Sequence, residues 1–141
     1  MITIVGRWDT EQLPNEYEYN LWRQLKAAFA LQPADVQFCF TPKTEDPALN
    51  GISWQQYDTM DSCLSNVTGK KVFIESGGSN TVSEIPRDSD VVLIFGNTPT
   101  DNLAYITEED LHITINQPNT GSFMYGPNAA SVIVANWYGQ P

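Results

Sequence analysis

Residues 92–104 read VLIFGNTPTDNLA. With Val91 in front, Val92, Leu93, Ile94 and Phe95 make an unbroken apolar run, the pattern of a strand covered on both faces in a parallel sheet. The run opens directly onto Gly96 and a polar loop with a proline at its centre. In open α/β sheets, ligands collect at the carboxyl ends of the strands, where loops supply backbone donors and acceptors. The sequence therefore predicts a loop presented after Phe95. Gly96, lacking a Cβ, either admits close approach of a ligand to the backbone or permits a turn with positive φ.

Working outward, Met1 to Val5 is β-branched and reads as a first strand, followed by the polar loop GRWDTEQLPNEYE, itself a candidate for function. From Tyr17, the stretch YEYNLWRQLKAAFALQ sets Tyr17, Leu21, Leu25 and Ala28 or Phe29 at helical spacing and ends before Pro33. Val36 to Phe40 is a second strand stopped by Thr41 and Pro42, and KTEDPALNGISWQQ is a surface excursion holding at most one helical turn. Tyr57 to Val67 reads as an amphipathic helix with Met60, Cys63 and Leu64 inward and Asp58 as its N-cap. Lys71 to Glu75 is a third strand, and SGGSNTVSEIPRDSD leads from it into the apolar run. Beyond the loop, Ile106 to Leu111 reads as a helical turn capped by Thr107, with Glu109 and Asp110 favourably near its N-terminus. His112 to Ile115 is a fifth strand, and AASVIVANWYG is a closing helix. This alternation predicts one α/β domain over residues 1–141, with a mostly parallel sheet and helices on both faces.

Composition limits what such a domain does. A chain of 141 residues buries roughly 70% of its unfolded surface without metals or crosslinks. Its 41% hydrophobic and 17% charged residues fall in the globular range. No apolar run approaches the ~20 residues that span a bilayer, and MITIVGRWDT lacks the basic start and apolar stretch of a signal peptide, so a cytoplasmic protein is expected. Cys39 and Cys63 have no CxxC spacing and His112 is the sole histidine, which argues for two buried free thiols and no metal site. Seven basic against 17 acidic residues give a net charge of −10. That average field repels nucleic acid, so any RNA partner is disfavoured by charge. Trp8, Tyr17, Tyr19 and Trp22 offer either base-stacking surfaces or, more in keeping with their spacing, core or dimer contacts.

The pieces LIFGNTPTDN, YITEEDL, ITINQ, NTGSFMYGPN and AASVIVANWYG, together with NLWR in the first helix, resemble the SpoU-type branch of the SPOUT trefoil-knot RNA methyltransferases, in a minimal single-domain form. The resemblance implies a C-terminal knot, which ordinary folds avoid. It also implies a clasp for S-adenosylmethionine (SAM) built from the loops at Phe95 to Asp101, Ile115 to Pro118 and Phe123 to Asn128. By that resemblance Phe95, Gly96, Asn97, Thr98, Ile115, Gln117, Met124, Tyr125 and Gly126 are cofactor-binding, and Arg23, Asn20 and Asn128 are catalytic. A homodimer through the knot helices, with Trp137 and Tyr138 at the interface, is implied as well. Two motifs depart from the family. Thr98 and Asp101 stand where it has Glu and Gly, and of its Asn-Leu-Ser-Asn stretch only Asn128 survives in YGPN. SAM-dependent methylation of a ribose 2′-hydroxyl on tRNA or rRNA is the activity implied. The alternatives are a catalytically inactive knot protein that binds SAM, S-adenosylhomocysteine or another adenine-containing molecule, or a protein partner, and an unrelated flavodoxin-like domain using SGGSNT as a phosphate loop, although that loop lacks the lysine of a P-loop.

Overall fold

The computed structural model describes residues 1–7, 20, 22–25, 27, 36–43, 55–96, 102–115, 129, 130 and 133. Six strands are described: β1 (Ile2–Arg7), β2 (Val36–Thr41), β3 (Gln55–Gln56), β4 (Lys70–Ile74), β5 (Val91–Phe95) and β6 (Leu111–Ile113). They form one sheet in the order β3-β2-β1-β5-β4-β6, and every pairing is parallel. The all-parallel order places every strand's carboxyl end on one edge. The predicted apolar run is β5, buried at all five positions between β1 and β4.

The period of two along each strand sorts the core onto two faces. On one face Ile2, Ile4, Phe38, Phe40, Val72, Leu93, Phe95 and Ile113 pack with Trp22, Leu25, Ala129, Ala130 and Ile133. On the other, Val5, Cys39, Phe73, Val92 and Ile94 pack with Met60, Cys63 and Val67. Asn20, Trp22 to Leu25, Ala27, Ala129, Ala130 and Ile133 are helical, so helical residues cover both faces, as expected. Trp22 settles its own alternatives. Its ring lies edge-on to Phe40 at 5.2 Å and to Phe95 at 6.3 Å, buried in the core and closed to a base. Trp8, Tyr17 and Tyr19 lie outside the described residues, as do the segments 97–101 and 116–128 on which the expected knot depends.

Local expectations are corrected in four places. Gln55–Gln56 is a strand pairing with Cys39 and Phe40, whereas the sequence reading placed it in a surface excursion. Two polar residues carry no alternation, and only the neighbouring edge of β2 makes them a strand. The helix spans Met60–Asn66, and its N-cap is Thr59, whose hydroxyl accepts from Ser62 N at 3.1 Å, where Asp58 had been expected. At 107–110 there is a turn and no helix: the Asp110 carboxylate accepts from both the amide and the hydroxyl of Thr107, reversing the expected cap. A 3-10 helix stands just before it, at Leu103–Tyr105. Finally, strand bounds shift: β4 and β6 each begin one residue earlier than read, at Lys70 and Leu111, and stop at Ile74 and Ile113, short of Glu75 and Ile115, while β1 runs on past Val5 through Gly6 to Arg7.

Candidate functional site

Parallel strands of this order set the ends of β5 and β6 on either side of the carboxyl end of β4. Ile74 is the register partner of Phe95 on one side and of Ile113 on the other. The chain leaving β5 at Gly96 and the chain leaving β6 at Thr114 are therefore two strand spacings apart, about 10 Å. Between them sits Glu75.

The segment after β4 wraps the end of β6. Glu75 N donates to Ile113 O on the inner edge of β6, while Asn80 N donates to His112 O on the outer edge, and His112 N returns a bond to Asn80 Oδ1 at 2.9 Å. Over the top, Gly78 N donates to Thr114 Oγ1 at 2.6 Å, and that hydroxyl donates to Glu75 O at 2.9 Å. Only glycine fits there, because a Cβ at position 78 would stand 2.4 Å from His112 O. An open groove of about 480 Å³ is lined by Gly77, Gly78, Asn80, Val82, Ile113 and Thr114, among others. It is not a phosphate loop: the amides of Gly78, Asn80 and Thr81 are already given to Thr114, His112 and Glu84.

A second network ties the other flank. Arg7, at the end of β1, donates from Nη1 to Asn102 Oδ1 at 2.8 Å, and Asn102 N donates to Glu75 Oε1 at 2.9 Å. Asn102 is completely buried although it is the first described residue after the polar loop. The sequence reading missed Arg7, Glu75 and Asn102. A signal for two of them was present, since Arg7 and Glu75 are charged residues placed directly after the apolar runs of β1 and β4, at the edge where parallel sheets bind ligands.

Of the expected site residues, Phe95 is buried with its side chain in the core, which leaves only its backbone for a ligand. Gly96 is half-buried at the end of β5, and Ile115 is half-buried two residues past β6. Arg23 is helical and half-buried beside Trp22, whose ring meets Phe95, so its helix abuts this edge; Asn20 is helical and exposed. Asn97, Thr98, Gln117, Met124, Tyr125, Gly126 and Asn128 lie outside the described residues. Cys39 and Cys63 are free and buried under the opposite face, where burial pushes their thiols up to about 11 and about 12. Among the described residues there is no group of three or more His, Cys, Asp or Glu placed to hold a metal ion, and no helix long and apolar enough to cross a membrane.

The geometry defines an α/β protein with a parallel sheet and a built carboxyl edge. No family model matches the chain, and no curated protein matches it in sequence. Solved structures do match. One, reported for the 2-OH methylation of C/U34 on tRNA, superposes with a TM-score of 0.71 at 15% identity, covering 99% of this chain and 90% of that one. The SpoU methyltransferase AviRb from Streptomyces viridochromogenes gives 0.65 at 14% identity, covering 99% of this chain and 61% of its own. The AdoMet-bound rRNA methyltransferase from Sinorhizobium meliloti gives 0.60 at 17% identity, over 95% of this chain and 53% of that one. The chain thus has the SPOUT fold of these structures.

Proposed function

We propose that this protein binds SAM at the carboxyl edge of β5, β4 and β6 and transfers its methyl group to a ribose 2′-hydroxyl of tRNA or rRNA. The observation that carries this reading is the likeness, over 99% of this chain and 90% of the other, to the structure concerned with 2-OH methylation on tRNA. The edge suits such a ligand. Gly96 and Ile115 open the two loops, and the buried Asn102 beside them keeps a carboxamide donor unmet. Bound SAM supplies an activated methyl group on sulfonium.

The chain's own residues then have to deal with the acceptor. A 2′-hydroxyl is a weak nucleophile, so its transfer step needs in-line placement and a group that accepts or shields its proton. Arg23, on the helix against Phe95, is the residue for positioning or polarising that hydroxyl, with Asn20 and Asn128 as polar partners. Asn97, Thr98, Gln117, Met124, Tyr125 and Gly126 complete the cofactor loops. A homodimer joined through the closing helix fits the proposal.

The net charge of −10 supports a second reading, a catalytically inactive protein of this fold that binds SAM, S-adenosylhomocysteine or another adenine-containing molecule. Titration calorimetry with SAM and S-adenosylhomocysteine, with Gly96→Trp as the blocked-loop control, tests the binding. Labelled-methyl transfer to tRNA and rRNA pools then separates the two readings. Transfer to RNA upholds the first; saturable binding with no transfer to either pool upholds the second.

A further inference from the structure

Among the described residues, the buried side-chain donors without a partner are Trp22 Nε1 and Asn102 Nδ2. Both lie toward the carboxyl edge of the sheet. The Trp22 ring lies against Phe95, the last residue of β5, and Asn102 is bonded to Arg7 and Glu75 at the carboxyl ends of β1 and β4. Their placement is not a general looseness of the core, which elsewhere is apolar and closed.

Asn102 is the more informative of the two, because everything else on it is matched. Its amide N–H goes to Glu75 Oε1, its carbonyl accepts from Tyr105 N at 3.0 Å, and its Oδ1 accepts from Arg7 Nη1. The carboxamide orientation is dictated chemically. A guanidinium has donors and no acceptor, so the oxygen must face Arg7 and Nδ2 must face away. A buried donor left unmet costs on the order of 1–3 kcal/mol, and native structures leave few of them without a reason. An aspartate here would pair with Arg7 through both oxygens. What the amide has and aspartate lacks is a donor.

We propose that Asn102 Nδ2 is a ligand-binding group, donating a hydrogen bond to an acceptor atom of an adenosine-bearing ligand enclosed at this edge, with Arg7 as the positioning residue that fixes the amide. The proposal rests on the reading that the edge binds SAM. Because Asn102 is fully buried, the ligand it meets is one taken in among the strand ends, where bound small molecules lose most of their surface to the protein.

The test is calorimetric titration of SAM, S-adenosylhomocysteine and adenosine into the unmodified protein, Asn102→Asp and Asn102→Ser, with ligand-free melting curves for each. Asn102→Asp keeps the oxygen facing Arg7 and removes the donor; Asn102→Ser carries the test if the aspartate variant does not fold. The expected result is that a variant with a near-unchanged ligand-free melt binds SAM about ten-fold more weakly or worse. A parallel loss for adenosine puts the acceptor in the nucleoside; a loss confined to SAM and S-adenosylhomocysteine puts it in the amino-acid portion. Unchanged affinity in the folded variants overturns the proposal alone and leaves the amide to a buried water. Absence of binding to the unmodified protein at millimolar ligand overturns the SAM reading, and the proposal with it.

Discussion

Gly78 gives its amide hydrogen to the Thr114 hydroxyl at 2.6 Å, fastening the segment after β4 across the end of β6. The contact leaves no room for a side chain. In Gly78→Ala the new Cβ would meet His112 O at 2.4 Å and His112 C at 2.7 Å, both backbone atoms that move only if the crossing opens. Overpacking of this kind costs about 1–3 kcal/mol, so the urea midpoint should fall clearly. Gly77→Ala is the informative control: nothing lies within 4 Å of its Cβ, but its φ of +82° leaves a backbone penalty of about 1–2 kcal/mol. Equal stability of Gly78→Ala and the parent would show that the crossing is not tight.

Thr114→Val tests the same fastening without adding bulk. The substitution removes a hydroxyl that accepts from Gly78 N and donates to Glu75 O, stranding the Gly78 amide while Glu75 O keeps His112 Nε2 at 3.2 Å. A loss of about 1–3 kcal/mol is expected in equilibrium unfolding. A change within experimental error would mean that water replaces the hydroxyl.

The helix cap separates two adjacent residues. Thr59→Ala removes the bond to Ser62 N and should cost about 1 kcal/mol, while Asp58→Ala, one residue outside the cap, should change stability by far less. Thermal melts of the pair decide it, and the reverse order would restore Asp58 as the cap.

Alkaline pH should weaken the fold through the thiols. Burial raises Cys39 to about 11 and Cys63 to about 12, both above the ordinary value of 9.0. The unfolded chain then releases thiol protons first, so these groups leave stability untouched below about pH 9. They reduce it progressively as pH rises from about 9 toward 11–12. The melting temperature should drop by on the order of 10 °C over that window. Cys63→Ala should flatten the upper part of the decline, and an identical pH profile in that variant would remove the thiol from the explanation.

Under the proposed function, in which Arg23 serves the acceptor, Arg23→Ala should abolish most methyl transfer while leaving SAM affinity within about two-fold. Single-turnover transfer and calorimetry on the same preparation read the two effects separately. A matched loss of both would move Arg23 to a structural role.

The sheet was largely legible because β1, β2, β4 and β5 are apolar runs whose burial follows from their composition, and because Cys63 and Met60 keep helical spacing toward one face. Gln55–Gln56 was not legible, since its strand character comes from a neighbour and not from its own residues. Nor was the Arg7–Asn102 bond, which joins positions 95 residues apart and depends on the strand order placing β5 beside β1. Gly96 and Ile115 were readable as loop entrances, whereas Glu75, between them in space, precedes both in the chain by at least twenty residues. A site assembled at a sheet edge takes its members from everywhere along the sequence, and local pattern reports only those that punctuate a strand.

The hold on β6 from both sides also governs how the molecule comes into being. One continuous stretch, from Lys70 through Asn80, borders this strand on its inner and outer flanks. Either β6 is fed endwise into a waiting noose, or the noose cinches after the strand arrives. Late, long-range closure of this kind slows folding. A nascent chain that has emerged only as far as Phe95 already holds five of the six described strands, yet the edge at which its ligand would lodge does not exist until that passage is finished.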